Sequence, residues 1–341
     1  MKVLSFVIPA YNSEKFLDKC IPSMLVQEIM DKIEIIVVND GSKDATAEIA
    51  QNYCDQYPGV VHLLSQENKG HGGALNTGCA AARGKYLKVI DADDWIVTEN
   101  LSRLTELLEQ CESDVVLTHH HTIDIGTGEI KHWRSYPKEF GKSYGFSEIM
   151  ADWRSFDRSL TFHGITYRTE FYHKYGHKLL EHVFYEDHEY ATYPCCYAKS
   201  ITPFDLFLYE YRIGDVNQSV SNANQLKRIG HTEAVLNRMM EEYQSLPDSP
   251  GKDYAAMKIQ GLLLSYLTTA LLVDPDKKAG RSLAEKLVNL CRDKAPDAWE
   301  LAQKKYRVFC LLNRLRIGKS TWDKILQSNL YNRLRKNHSF D

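Results

Sequence analysis

Tyr86-Leu-Lys-Val-Ile-Asp91-Ala-Asp93-Asp94-Trp95 decides how this chain folds, because a run that is apolar but for Lys88 breaks without a spacer into three carboxylates. A strand apolar along most of its length has both faces covered, as in a parallel sheet flanked by helices. Outward from it, similar runs lie at residues 4–8, 33–38, 60–64 and 115–118, and segments of helical period at 15–27, 45–57, 72–82 and 100–110. The alternation of the two periods predicts a βαβ progression: an α/β fold built on a mostly parallel sheet.

In such sheets ligands bind beyond the carboxyl ends of the strands. The first strand ends in Pro9-Ala10-Tyr11-Asn12 and the second in Asn39-Asp40-Gly41-Ser42. The third is followed by Asn68-Lys69-Gly70-His71-Gly72-Gly73 and the fourth by Asp91-Ala92-Asp93-Asp94. Side chains two apart on extended chain project to the same side. Asp91 and Asp93 therefore repel one another unless a cation or a proton lies between them. An all-oxygen pair of this kind suits Mg²⁺ or Mn²⁺, which keep their waters and recruit phosphate oxygens. Asp94, before Trp95, reads as a cap for the helix that follows. Asp40 has two readings of equal weight, a ligand to a ribose or base and a turn residue.

Beyond residue 123 the pattern changes. A hairpin is expected over 123–133 around Gly126-Thr-Gly128, and 143–213 show no clear period. From about 225 the chain reads as helical, broken at 247–251. The apolar run 262–273 (LLLSYLTTALLV) is shorter than the ~20 residues of a membrane span and reads as a buried helix.

Composition sets the class. With 43% hydrophobic and 26% charged residues over 341 positions, the chain has enough apolar material for a sizeable core. A net charge of −3, from 42 basic and 45 acidic residues, does not suit a dedicated nucleic-acid binder. The eight cysteines form no CxxC pair, and the opening apolar run is short for a signal peptide, so a reduced, cytoplasmic setting is expected. Residues 301–341 hold ten Lys/Arg and two Asp, a net of +8. Either a peripheral contact with the inner face of an anionic membrane or a solvated face serving solubility or self-association into a homo-oligomer would use them.

Several chemistries fail on spacing. A dinucleotide site needs GxGxxG after the first strand, where Pro9-Ala-Tyr-Asn12 stands. Gly78-Cys-Ala-Ala-Ala-Arg-Gly84-Lys85-Tyr86 has one spacer too many for a P-loop and Tyr where Ser or Thr is required. His119-His120-His121 cannot all face one metal from a strand, and Cys195-Cys196 reads as core. Trp95, Trp133 and Trp153 suit either sugar stacking or core packing.

VIPAYN (7–12), VVNDGSKDAT (37–46), ENKGHGGALNTG (67–78) and VIDADDW (89–95) resemble, in order and spacing, the family 2 glycosyltransferases of the GT-A fold. FYEDHEY (184–190) and YEYRIGDVNQSVS (209–221) resemble that family's later motifs. The resemblance covers residues 3–221: a nucleotide-sugar half (1–122) and an acceptor half (123–221), followed by an all-helical region with a basic tail (222–341). It implies a nucleotide-sugar donor, most often a UDP-sugar. Pro9, Ala10, Tyr11, Asn12, Asp40, Gly41, Asn68, Gly70, Asn76, Asp91, Ala92, Asp93 and Arg212 would line the donor side, with Ala10, Tyr11 and Asp40 on uracil and ribose. Asp91 would contact ribose or metal, and Asp93 the Mn²⁺ or Mg²⁺ that bridges the diphosphate. Glu186 and Asp187 would lie near the acceptor, Asp187 as general base, with inversion at the anomeric carbon. The implied setting is transfer to a saccharide or lipid-linked acceptor in bacterial surface-polysaccharide synthesis.

The chain departs from the family at two places. Leu75 stands where Ala-Arg-Asn has its arginine, and Gly214 where a histidine often follows the Tyr-Arg pair. Those departures motivate the alternative, a non-catalytic nucleotide-sugar-binding relative. A nucleotidyltransferase is a weaker third reading, since no phosphate-binding loop follows the first strand.

Overall fold

The computed structural model describes residues 2–214 and 222–327. Two compact units form: Met1–Gln218 with Leu246–Ala255, and Ser219–Ser245 with Ala256–Asp341.

The first unit is built on a nine-stranded sheet: β1 (Leu4–Ala10), β2 (Ile33–Asp40), β3 (Val61–Gln66), β4 (Tyr86–Val89), β5 (Trp95–Ile96), β6 (Val115–Asp124), β7 (Ile130–Trp133), β8 (Ile165–Arg168) and β9 (Ile201–Ile213). Their order is β3-β2-β1-β4-β8-β6-β9-β5, with β7 paired to β6. The first four strands in that order are parallel, as their uninterrupted apolar runs predict. Beyond β4 the sheet is mixed: β8 runs antiparallel to both β4 and β6, β5 antiparallel to β9, and β9 parallel to β6. The expected hairpin is β6 with β7.

Helices α1 (Leu17–Met24), α2 (Thr46–Gln56), α3 (Gly70–Ala81) and α4 (Leu101–Gln110) cross between the early strands. Alternation along each strand divides the core between the two faces. Phe6, Ile8, Ile35 and Val37 point with α1, α2 and α4 to one side; Val7, Ile36 and Val38 point with α3 to the other. Short helices α5 (Phe146–Ala151), α6 (Thr169–Tyr175), α7 (Asp187–Tyr190) and α8 (Tyr193–Cys196) follow in the segment without clear period. Cys195 is core, its sulfur 3.3 Å from the Tyr167 hydroxyl, and Trp153 packs on Tyr254.

The second unit is helical: α9 (Asn222–Lys227), α10 (Ile229–Ser245), the later turns of α11 (Pro250–Thr268) with a π turn over Thr269–Val273, α12 (Lys277–Lys294), α13 (Pro296–Arg314) and α14 (Lys319–Gln327). Asp276 caps α12 by accepting from the amides of Lys278 and Ala279. Within the unit Lys286 pairs with Glu233 at 2.6 Å, and the Asn313 amide donates to the Leu271 carbonyl at 2.7 Å. The run at 262–273 is the end of a longer helix, Pro250–Val273. By length and composition that helix could cross a membrane, and 56% of its most apolar window is buried inside the protein, as in a core helix.

Candidate functional site

Parallel pairing of β1, β2, β3 and β4 brings their carboxyl ends to one edge. At the end of β1, Pro9 and Ala10 are buried and Tyr11 is 49% exposed. Asn12 turns into the left-handed region (φ 51) and fastens the neighbouring loop, accepting from the Lys43 amide at 2.9 Å and donating its own amide to Ser42 Oγ at 3.0 Å.

Asp40, at the end of β2, is buried. Its Oδ1 accepts from Gln66 Nε2 (2.7 Å) and from the Lys69 amide (2.8 Å), while its Oδ2 is buried without a hydrogen-bond partner among the described residues. Such an orphaned acceptor costs free energy unless something donates to it. Gly41 turns with φ +72, and the Asn68 side chain donates to the Asp40 carbonyl at 2.9 Å.

The loop after β4 is strapped down on both sides. Short β5 pairs with β9, Trp95 opposite Glu210, which lays Tyr209 and Arg212 over the carboxylates. Asp94 is buried: its Oδ2 accepts from the Tyr209 hydroxyl (2.6 Å) and its Oδ1 from the Arg212 amide (2.7 Å). No helix begins beside it, so Asp94 clamps β9 instead of capping a helix. The Asp91 amide donates to the Tyr209 hydroxyl at 3.1 Å, and Asp93 pairs with the Arg212 guanidinium at 3.3 Å. Ala92 between them is buried, and the Trp95 ring carries the Lys19 ammonium 3.0 Å from its centre.

The electrostatics of this loop are strained. Burial, then the neighbouring Asp91, raises the Asp93 pKa; burial, then Asp91 and Asp93, raises that of Asp94. An excess of carboxylate on a half-open, all-oxygen loop fits a hard divalent cation that takes its remaining ligands from water and phosphate. Among the described residues no group of three or more His, Cys, Asp or Glu is gathered to hold a metal.

His71, just inside α3, was not among the residues singled out in sequence. Its Nε2 lies 2.8 Å from Asp91 Oδ1 and its Nδ1 2.5 Å from Glu186 Oε1. Burial alone would lower the imidazole pKa, but the two carboxylates, Asp91 foremost, hold it well above the ordinary value. Glu186 is buried, not exposed at a helix end, and burial raises its pKa. Its Oε2 has no hydrogen-bond partner among the described residues. Asp187 follows as the first residue of α7 and is part-exposed. One imidazole thus joins the Asp91–Asp93 loop to the Glu186-Asp187 turn.

The remaining candidates have other surroundings. Gly70 opens α3 with φ +76. Asn76 binds the Leu179 backbone twice, donating to its carbonyl (3.0 Å) and accepting from its amide (2.8 Å). Leu75 is fully buried in the core with Val7, Ile36 and Val38. Gly214 is the last residue described before 222 and has φ +99; residues 215–221 of the Ser-Val-Ser segment lie outside the described residues. His119, His120 and His121 point apart: His119 to Asp205 (3.2 Å), His120 onto Trp133, and His121 onto Phe207.

The fold and the sequence place the chain among known proteins. Over 93% of this chain and 93% of that one it superposes on S. aureus TarS 1–349 in complex with UDP-GlcNAc, with a TM-score of 0.59 at 18% identity. The mannosyltransferase PcManGT of Pyrobaculum calidifontis, in complex with GDP-Man and Mn²⁺, superposes with a TM-score of 0.51 at 15% identity over 91% of this chain and 84% of that one. At these identities the likeness concerns the fold, which is of the GT-A type. In sequence, the uncharacterized glycosyltransferase EpsJ of Bacillus subtilis (strain 168) is 42% identical over 114 residues, 33% of each chain. EpsH of the same strain is 32% identical over 228 residues, 62% of this chain and 60% of that one. The chain therefore spans between a third and 60% of the length of these relatives. The model of glycosyl transferase family 2 matches residues 5–184, and with the ordered loops along the strand edge this establishes that the chain belongs to that family.

Proposed function

We propose that this chain transfers a sugar from a UDP-sugar to a hydroxyl of a saccharide or lipid-linked acceptor, with inversion, in the assembly of a bacterial surface polysaccharide. The observation that carries the reading is the convergence, through His71, of the Asp91–Asp93 loop and the Glu186-Asp187 turn at the edge where Asp40 keeps a buried, unpartnered oxygen. TarS with UDP-GlcNAc supports a uridine donor, and PcManGT with Mn²⁺ supports a divalent ion.

The N-terminal half (1–122) serves as the donor side and 123–221 as the acceptor side. Asp40 Oδ2 accepts from the uracil or ribose, with Tyr11 exposed beside it. Asp91 and Asp93 would hold Mn²⁺ or Mg²⁺, which when bound supplies positive charge against the departing diphosphate. Arg212 adds a fixed cation next to Asp93. Asp187 takes the proton of the attacking hydroxyl, and a positioned base of this kind is worth ~10²–10⁴-fold. A single displacement requires no enzyme nucleophile. Leu75 packs in the core, so the absent arginine of that motif leaves no gap in the carboxylate cluster.

In the helical region, α13 and its C-cap residue Leu315 leave Leu301, Val308, Leu311 and Leu315 exposed along one stripe, with Lys304, Lys305, Arg307 and Arg314 also exposed. Apolar side chains among cations suit an anionic lipid surface, which supports a peripheral membrane setting and a lipid-linked acceptor.

Melting curves with UDP, GDP and CDP, each with Mn²⁺ or EDTA, test the donor. UDP with Mn²⁺ is expected to raise the Tm, since a ligand at ~100 times its Kd adds ~2.7 kcal/mol. Release of UDP from a panel of UDP-sugars then tests the chemistry: Asp187→Asn should keep the UDP shift and lose at least ~100-fold in turnover. A wild-type chain that binds UDP and turns over no donor with any acceptor would instead be the non-catalytic relative.

A further inference from the structure

The residues around His71 form a clamp between two parts of the chain more than a hundred positions apart. The segment from Leu179 to Glu186 lies against the start of α3. Asn76 holds the Leu179 backbone at one end, and the His182 amide donates to the Lys69 carbonyl at 2.8 Å in the middle. At the far end His71 holds Glu186. The approach is close enough that a Cβ on Gly72 would sit 2.2 Å from the Leu180 carbonyl oxygen and 2.9 Å from Glu186 Cγ. The held segment is also strained: His182 (φ 59) and Tyr185 (φ 75) occupy the left-handed region without being glycine. Such conformations are costly without glycine and persist where their surroundings over-determine them.

Within this clamp His71 differs from Asn76 and Lys69. Across this joint those two bond only to backbone, whereas the two His71 ring nitrogens each meet a carboxylate of a different motif. Both backbones are held, Asp91 by its amide on the Tyr209 hydroxyl and Glu186 by its carbonyl, which accepts from the Glu189 and Tyr190 amides. Of the two side chains Glu186 is the buried one, 2% exposed against 28% for Asp91, and its Oε2 has no hydrogen-bond partner among the described residues. The side chain that depends on His71 for its orientation is therefore Glu186, one residue before Asp187.

We propose that His71 is a positioning residue of this site: through Nδ1 it fixes Glu186, and with it the turn that presents Asp187, in register with the donor loop. It acts on turnover and not on donor affinity. The proposal rests on the transferase reading above.

The two nitrogens can be mimicked separately, because an asparagine amide reaches as Nδ1 does and a glutamine amide as Nε2 does. His71→Ala, His71→Asn and His71→Gln are compared with wild type and Asp187→Asn. The measurements are UDP affinity by titration calorimetry with Mn²⁺, kcat and KM for UDP release from the accepted UDP-sugar, and the melting temperature. His71→Ala is expected to lose up to about 100-fold in kcat, the scale of a 1 Å misplacement, with the UDP Kd within about threefold of wild type. His71→Asn, keeping the Glu186 bond, should recover most of that loss and His71→Gln little.

Recovery by His71→Gln with none by His71→Asn, a fall in UDP affinity matching the fall in turnover, or full kcat in His71→Ala would each overturn the proposal. If His71→Ala does not fold, the Asn–Gln comparison decides. If none of the three folds, the clamp is structural and the proposal fails. Turnover by wild type that is lost in Asp187→Asn keeps the transferase reading whichever way His71 falls; no turnover by wild type removes both.

Discussion

Lys88 shows what a single residue carries in this sheet. It lies in β4, fully buried, its ammonium donating to the carbonyls of His163 and, at 2.9 Å, Ile165. Burial lowers its pKa from 10.5 to about 7. Between those values the unfolded chain binds a proton that the folded chain does not, so stability rises with pH across about pH 7–10.5. The gain is on the order of a few kcal/mol. Urea midpoints from pH 7 to 10 should climb more steeply in wild type than in Lys88→Met; parallel slopes would mean that the buried amine stays charged. At this scale the sequence was legible where spacing alone creates the chemistry, as for Asp91 and Asp93. It was illegible where the partner is remote. Asp94 reads as a helix cap until Tyr209 and Arg212 are seen to bind it, and His71 lacks meaning until Glu186 is brought to it.

At the scale of elements, the joint between α3 and the segment beginning at Leu179 depends on missing side chains. Gly72→Ala would push a methyl to 2.2 Å from the Leu180 carbonyl oxygen, and backbone on both sides leaves little room to yield. A loss of about 1–3 kcal/mol is expected in denaturant unfolding, together with lower turnover as the Glu186 turn shifts. Gly261→Ala, inside α11 with nothing within 4 Å of its added methyl, serves as the control and should instead gain a few tenths of a kcal/mol or more from helix propensity. A large loss in the control as well would remove the packing argument. Strands β1–β4 and helices α1–α4 were legible because each repeats one period over enough residues. Strands β8 and β9 were not. Their residues mix charges and aromatics, since each pairs with strands distant in sequence, and no local pattern announces an antiparallel insertion beside β4.

For the whole molecule, the exposed stripe of α13 predicts where the chain resides. Flotation should show the full-length chain on vesicles of phosphatidylcholine with phosphatidylglycerol and not on phosphatidylcholine alone, weakening as salt rises. Leu311→Glu with Leu315→Glu should lower that binding by at least about tenfold. Unchanged binding would move the contact to the basic residues 333, 335 and 336, which lie outside the described residues, and a concentration-dependent change in mass would assign the stripe to a second copy. Legibility was lowest here, because composition announces a basic tail but not which helical face stays bare. The strand order has a further consequence, in time. β8 fills the place beside β4, and Asp94 is tethered to residues near 210, so the early βαβ layers leave the ribosome with an open strand edge and three unclamped carboxylates. Such long-range closure is slow and leaves an intermediate prone to association. A nascent chain halted before β9 would hold the β1–β4 edge without the strand that completes it, so the nucleotide binding proposed for that edge should arrive late in synthesis and all at once.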